Sequence, residues 1–213
     1  MIDYQFEDSL INKIIETKEN TIIIGVDEVG RGALAGPVFA AAVWIKNRNI
    51  LGLNDSKKLS PKKREELSEV IKLNSCFAIS SASVEEIDNI NILEASKLAM
   101  QRAIEQIIKE LPYNPSLVII DGNQTLKMYL NIHCIVNGDS LCPSIAAASI
   151  IAKVYRDRLM SELSKDYHQY QWCKNKGYGT NSHINALMNF GPCIHHRKSF
   201  SPVKEAAKVI HEL

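Results

Sequence analysis

Between residues 21 and 28 the chain reads Thr-Ile-Ile-Ile-Gly-Val-Asp-Glu, an almost unbroken apolar, β-rich run that ends in two adjacent carboxylates. A run of this kind suits a strand covered on both faces, because a half-exposed strand alternates apolar with polar residues. Helices above and below are the usual cover, so this one segment favours an α/β arrangement. The paired charges, Asp27 and Glu28, are the second constraint. Charged side chains are almost never buried unless paired.

The other periodicities fit the same plan. Phe6, Leu10, Ile14 and Ile15 predict a short leading helix over residues 5–16. Residues 38–45 read as a second strand, reached through a Gly-rich connection. Ser60-Pro61 opens a helix over 61–73, with proline at its first position. A third strand is expected over 76–83. Asn91 and Glu94 have capping-box spacing and predict the start of a long helix. Its apolar face is Leu98, Ala99, Ala103, Ile107 and Leu111, and Pro112 and Pro115 stop it. Short strands are expected at 117–120 and 132–136, ending near Asp121-Gly122 and Gly138-Asp139. Pro143 starts a helix running to about residue 165, and further helices fall near 181–189 and 203–212. The expected fold is α/β, a central mixed sheet flanked by helices, in one domain over residues 1–213. Its last part, from about residue 167, is helical.

Hydrophobic residues make up 46% of the chain and charged residues 23%, which excludes a disordered or low-complexity protein. Lys and Arg total 25 against 24 Asp and Glu, so net charge says nothing about partners. Its distribution says more. From Tyr167 to Lys204 there is no acidic residue, while Lys174, Lys176, Arg197, Lys198, Lys204 and four histidines fall there. Lys57, Lys58, Lys62, Lys63 and Arg64 form a second basic cluster. Solvated surface charge explains either cluster alone; the two together point toward a nucleic-acid face. The five cysteines include no C-x-x-C pair, which argues against a disulfide framework or zinc ribbon and fits a reducing, cytoplasmic setting. No signal peptide or membrane anchor is expected.

Asp27, Glu28, Asp121 and Asp139 all stand at predicted strand ends. In α/β sheets such ends form the binding crevice. Four carboxylates gathered there repel one another unless cations neutralise them, and hard divalent ions prefer oxygen ligands. Two such ions about 3.5–4 Å apart can activate water and stabilise a leaving oxygen in phosphodiester hydrolysis. Taken singly, Asp121 reads equally well as a turn former and Asp139 as a helix cap.

Longer stretches carry a resemblance. Gly25-Val-Asp-Glu-Val-Gly-Arg-Gly-Ala-Leu-Ala-Gly-Pro-Val38 closely resembles the opening motif of ribonuclease HII. Asp55-Ser-Lys-Lys-Leu-Ser60, Ile120-Asp-Gly-Asn123, and Gly138-Asp139 followed by residues 143–157 match later blocks, as do Lys176-Gly-Tyr-Gly-Thr180, His183 and His196-Arg-Lys-Ser-Phe200. The blocks lie in order from about residue 21 to 202. Ala33 departs from the pattern where proline is common. The sister family, ribonuclease HIII, usually has Thr in place of Arg31, which favours the HII reading.

The resemblance implies a ribonuclease H-like fold and endonucleolytic cleavage of RNA in RNA–DNA hybrids, with incision 5′ of single ribonucleotides embedded in duplex DNA. It implies two Mn²⁺ or Mg²⁺ ions held by Asp27, Glu28, Asp121 and Asp139. It implies that Gly30, Arg31 and Gly32 read the RNA 2′-hydroxyl and that Tyr178 senses the RNA-to-DNA junction. Lys57 and Lys153 are candidates for phosphate contacts, although solvation explains either alone. His183, His195 and His196 lack metal-ligand spacing and are read as packing or backbone-contact residues. A monomer is expected, with no clamp-binding tail in the closing Val-Ile-His-Glu-Leu.

Overall fold

In the computed structural model, which describes residues 2–15 and 21–211, β1 (Ile23–Val29) is the central strand of a five-stranded mixed sheet. Its neighbours are β2 (Val38–Ile45) and β4 (Leu117–Asp121); β3 (Ser75–Ala82) and β5 (Ile132–Ile135) form the edges, giving the order β3-β2-β1-β4-β5. β1, β2 and β3 pair antiparallel, while β1, β4 and β5 pair parallel. The expected mixed sheet with flanking helices is what forms.

Helices cover both faces, which is why β1 needs no polar alternation. α3 (Val84–Ile108) packs on one face, where Ile24, Val26, Ala40 and Ala42 meet Ala99, Ala103 and Ile104. α4 (Pro143–Asp166) and α2 (Pro61–Asn74) cover the other, where Ala41 and Val43 meet Ala146, Ala147, Ile150 and Ile71. The small residues of α4 let it approach closely. Gly25 has the Ser144 and Ile145 main chain where a β-carbon would project. α5 (Trp172–Asn175), α6 (Asn181–Phe190) and α7 (Ser201–His211) gather with the end of α4 around Trp172, Tyr170, Leu187, Val203 and Leu34.

Most boundaries fall within two residues of expectation, and three differences have a physical reason. β1 continues through Asp27 and Glu28 instead of ending before them, because the facing positions on β2 are the small Ala41 and Ala40. The long helix begins at Val84, not Asn91. Ser83 and Glu86 form a full capping box there, which the short apolar content of residues 84–90 concealed. Asn91 is nonetheless a cap. It breaks the helix at φ +66°, and its side-chain oxygen accepts the N–H groups of Leu93 (3.0 Å) and Glu94 (3.2 Å). α1 (Gln5–Ile14) is shorter than predicted. Residue 16 of the expected first helix, residue 212 of the last, and the final residues of the closing segment lie outside the described residues.

The start of α4 is capped from far along the chain. Its first residue is proline, and Cys142 before it makes no side-chain cap. Glu7 of α1, buried at 3% exposure, accepts the Ser144 N–H at 3.1 Å and a short hydrogen bond from the Ser144 hydroxyl. A carboxylate here satisfies an orphan donor and meets the positive end of the helix dipole.

Candidate active site

The register Val26↔Ile120 between parallel strands carries Asp27 and Asp121 to adjacent positions on β1 and β4. Asp121 is the last residue of β4, and its Oδ1 accepts the Gly138 N–H at 2.7 Å. A side chain at Gly138 would crowd both Ile145 and that carboxylate. Asp139 follows in a 3-10 turn that leads into α4 and is buried. Sheet register and one turn thus bring Asp27, Asp121 and Asp139 to one sheet end. Glu28 joins them from the next position of β1, its N–H bonded to Asp27 Oδ1 at 2.7 Å.

Charge accumulates there. Burial, then the Glu28 and Asp121 charges, hold the Asp27 carboxyl well above the ordinary carboxylate range. Burial raises Glu28 too, against the pull of Arg31. Asp121 is raised by burial and then by Asp139. In each case burial disfavours the charged form first, and neighbouring carboxylates add to it. Besides Arg31 on Glu28, a lysine lies beside the aspartates. Asp55 caps a turn by accepting the Lys57 N–H at 2.9 Å, and the Lys57 ammonium lies 3.6 Å from Asp139 Oδ2. Burial pulls the Lys57 pKa down, but Asp139, Asp55, Asp27 and Asp121 together outweigh it and raise the value.

These residues suit hard divalent ions: the donor set is all carboxylate oxygen, and it already draws in an ammonium group. They are not closed into a cage. Among the described residues, no three His, Cys, Asp or Glu side chains converge tightly enough to hold an ion as they stand. Behind the site, the Ser149 hydroxyl of α4 favours the charged form of Asp27, and Ser149 and Ser56 are linked hydroxyl to hydroxyl at 2.9 Å. Sequence reasoning did not single out Ser149; the available signal was a lone hydroxyl within an otherwise Ala- and Ile-rich helical stretch.

The connection after Glu28 forms the next wall. Gly30 adopts φ +95°, and a β-carbon there would strike the Arg156 guanidinium, so its lack of a side chain is set by the fold. Gly32 differs: a β-carbon would meet nothing within 4 Å, so its small size leaves open space. Arg31 is half exposed and pairs with Glu28 at 3.1 Å. The segment is held from below by two buried arginines: Arg197, which the sequence placed on the basic face, is fully buried instead, and Arg156 was not singled out, since Arg normally reads as surface. Arg156 donates to the carbonyls of Ala35, Pro37 and Lys176, and Arg197 to those of Gly36 and Arg31.

Tyr178 lies alongside. It forms an antiparallel bridge with Ala33, and the Leu34 N–H donates to the Gly177 carbonyl at 2.8 Å. Lys153 and Arg156 stand 5.5 and 5.4 Å from its ring centre. Lys153 also pairs with Asp157 at 2.8 Å, so its charge is partly engaged within α4. The geometry therefore collects Asp27, Glu28, Asp121, Asp139 and Lys57 at one sheet end, with Gly30, Arg31 and Gly32 on the adjoining loop. Tyr178 and Lys153 flank the far side of that loop.

A sequence model described as ribonuclease HII matches residues 24–203. The chain belongs to the ribonuclease HII family. The ribonuclease HII of Wolbachia sp. subsp. Brugia malayi (strain TRS) is 53% identical over 196 residues, covering 91% of this chain and 95% of that protein. The crystal structure of ribonuclease H2 from Pyrococcus horikoshii OT3 matches with a TM-score of 0.72 at 23% identity, over 91% of this chain and 100% of that one. Bst-RNase HIII, solved in complex with Mn²⁺, gives a TM-score of 0.72 at 20% identity, over 97% of this chain and 82% of that one. These two likenesses establish the shared fold. As a ribonuclease HII, the protein is a hydrolytic ribonuclease of the H class, an endonuclease of RNA–DNA hybrids. No helix among the described residues is long and apolar enough to cross a membrane.

Proposed function

We propose that this ribonuclease HII cuts 5′ of single ribonucleotides embedded in duplex DNA as well as within longer hybrids, with two Mn²⁺ or Mg²⁺ ions held by Asp27, Glu28, Asp121 and Asp139. The observation that carries this reading is the direct continuity of the carboxylate-bearing strand with the loop bridged to Tyr178. One stretch of chain thereby sets cutting groups and sugar-reading groups at a fixed spacing.

Divalent ions bound there supply an acidified water and neutralise charge on the leaving oxygen. Asp27, backed by Ser149, and Asp121, tied to the Gly138 N–H, would hold those ions beside the scissile phosphate. The bond from phosphorus to the 3′ oxygen breaks, leaving a 3′-hydroxyl on one fragment and a 5′-phosphate on the other. The Gly30–Arg31–Gly32 segment, open above Gly32, meets the ribose 2′-hydroxyl, the group that separates RNA from DNA. Arg31 exchanges its Glu28 partner for a phosphate, and Lys57 and Lys153 face neighbouring phosphates. The Tyr178 ring packs on the deoxyribose of the next nucleotide. Residues 1–213 act as one catalytic unit and as a monomer, with about 167–213 as its substrate-binding part. Its free cysteines, Cys173 exposed among them, fit the cytoplasm.

The test is incubation with a DNA duplex carrying one ribonucleotide, with and without Mg²⁺ or Mn²⁺, and identification of the ends. Metal-dependent cleavage leaving 3′-hydroxyl and 5′-phosphate is expected. A 2′,3′-cyclic phosphate, or full activity in excess chelator, refutes the mechanism.

A further inference from the structure

Two fully buried histidines, His183 of α6 and His196, meet Nε2 to Nε2 at 3.0 Å. Three surrounding groups have no choice of role, and they fix every proton in the pair. The Cys193 N–H can only donate, and it reaches His196 Nδ1 at 3.0 Å. His196 therefore carries its proton on Nε2 and donates it to His183. The Trp172 indole N–H can also only donate, and it reaches His183 Nε2 at 3.1 Å, so that nitrogen is the acceptor for both. His183 therefore carries its proton on Nδ1. Its partner there, at 3.0 Å, is the carbonyl of Tyr178, which can only accept.

Both ends of this chain of hydrogen bonds tie to one segment, residues 33–36. Ala33 bridges Tyr178, and Ala35 bridges His196. The Gly36 N–H donates to the His195 carbonyl and the Arg197 N–H to the Leu34 carbonyl, both at 2.9 Å. The histidine pair is thus a staple across the segment that follows Gly30, Arg31 and Gly32, and its last bond is to the main chain of Tyr178. Aromatic packing locks it: the Tyr170 ring stands edge-on to His196 at 4.6 Å and stacks on Trp172 at 5.2 Å.

We infer that His183 and His196 are positioning residues for Tyr178, setting the height of its ring against the deoxyribose that follows the ribonucleotide. This rests on the reading of Tyr178 given above as the ring that tests for DNA beyond the ribonucleotide. Misplacement of a contact group by about 1 Å costs on the order of 10²-fold in rate. A Tyr178 main chain that has lost its histidine donor then shows as lost discrimination between substrates.

The experiment compares wild type, His183→Leu, His183→Asn and Tyr178→Ala on a single-ribonucleotide duplex and on a continuous hybrid, at one salt concentration. His183→Leu removes one of the two donors to the Tyr178 carbonyl and leaves only the Thr180 N–H. It should lower the first rate by roughly tenfold more than the second. His183→Asn keeps an N–H near the Nδ1 position and should restore most of the ratio. Added to Tyr178→Ala, His183→Leu should change the ratio no further, because coupled residues are not additive. A folded His183→Leu protein with the wild-type ratio overturns the inference when Tyr178→Ala shifts that ratio. If Tyr178→Ala itself lowers both rates equally, the junction-reading role is what fails. Should His183→Leu not fold, imidazole nitrogen NMR of the wild type decides: protons on Nδ1 of His183 and Nε2 of His196 are required, and any other pattern overturns the staple.

Discussion

Gly25 of β1 lies directly against the main chain of Ser144 in α4, with no room between them for a β-carbon. This contact sets the depth at which α4 seats on the sheet, and with it the position of Ser149 behind Asp27.

Gly25→Ala should therefore be severely destabilising, by about 3 kcal/mol or more, since neither backbone can yield cheaply. Gly32→Ala is the contrast. Its site is open, so stability should stay within about 0.5 kcal/mol of wild type while cleavage falls. Thermal melting and a single-ribonucleotide cleavage assay check both. Wild-type cleavage by Gly32→Ala would remove that glycine from the substrate surface.

Asp27→Asn should cut neither substrate detectably, a loss on the order of 10³-fold or more, with the fold intact. Removing one of several repelling carboxylates should leave the metal-free melting temperature equal or higher. The rise in melting temperature that Mn²⁺ gives the wild type should shrink. Near wild-type turnover by a folded Asp27→Asn protein would sink the assignment.

The site acids also set a pH dependence in the metal-free protein. Asp27, Glu28 and Asp121 have folded pKa values raised above the ordinary carboxylate range, from 3.8 for aspartate. The folded state thus binds more protons than the unfolded one just above that range, and their contribution falls as pH rises through the folded values. His183 and His196 act oppositely. Burial lowers both, His196 from 6.5 to about 3, so their contribution is full above 6.5 and is lost as pH falls toward 3. Melting curves from pH 4 to 8 should show Asp27→Asn gaining on wild type as pH rises, and His196→Gln gaining on wild type as pH falls. A constant offset in either comparison contradicts the corresponding shift.

Glu7 separates charge from hydrogen bonding at the start of α4. Glu7→Ala leaves the Ser144 N–H without its acceptor and should cost about 1–2 kcal/mol. Glu7→Gln keeps an acceptor and removes a carboxyl whose pKa burial has raised. At pH 7 it should match or exceed wild-type stability. Urea melts of the three proteins test this; an unchanged Glu7→Ala would show that α1 does not cap α4.

Much of the molecule was legible in local pattern. An apolar run such as Ile22 to Val26 buries itself wherever it lies, so the strand and its covering helices follow from composition over a few residues. Pro143 and Ser60-Pro61 mark helix starts because proline's missing N–H and fixed φ act locally. The four carboxylates stand out for the same reason, as charges set against buried strands. What only the tertiary structure decided depends on partners far apart in sequence. The register Val26↔Ile120 brings Asp27 beside Asp121, and nothing within either strand specifies it. Ser83 and Asn91 each cap a helical segment, and only the packed structure shows that the two segments join across a kink. Glu7 reaches Ser144, and Arg156 and Arg197 hold carbonyls of residues 31–37, across more than a hundred positions. A buried charge or a histidine tautomer is defined by the groups around it, and those groups assemble only when the chain has folded.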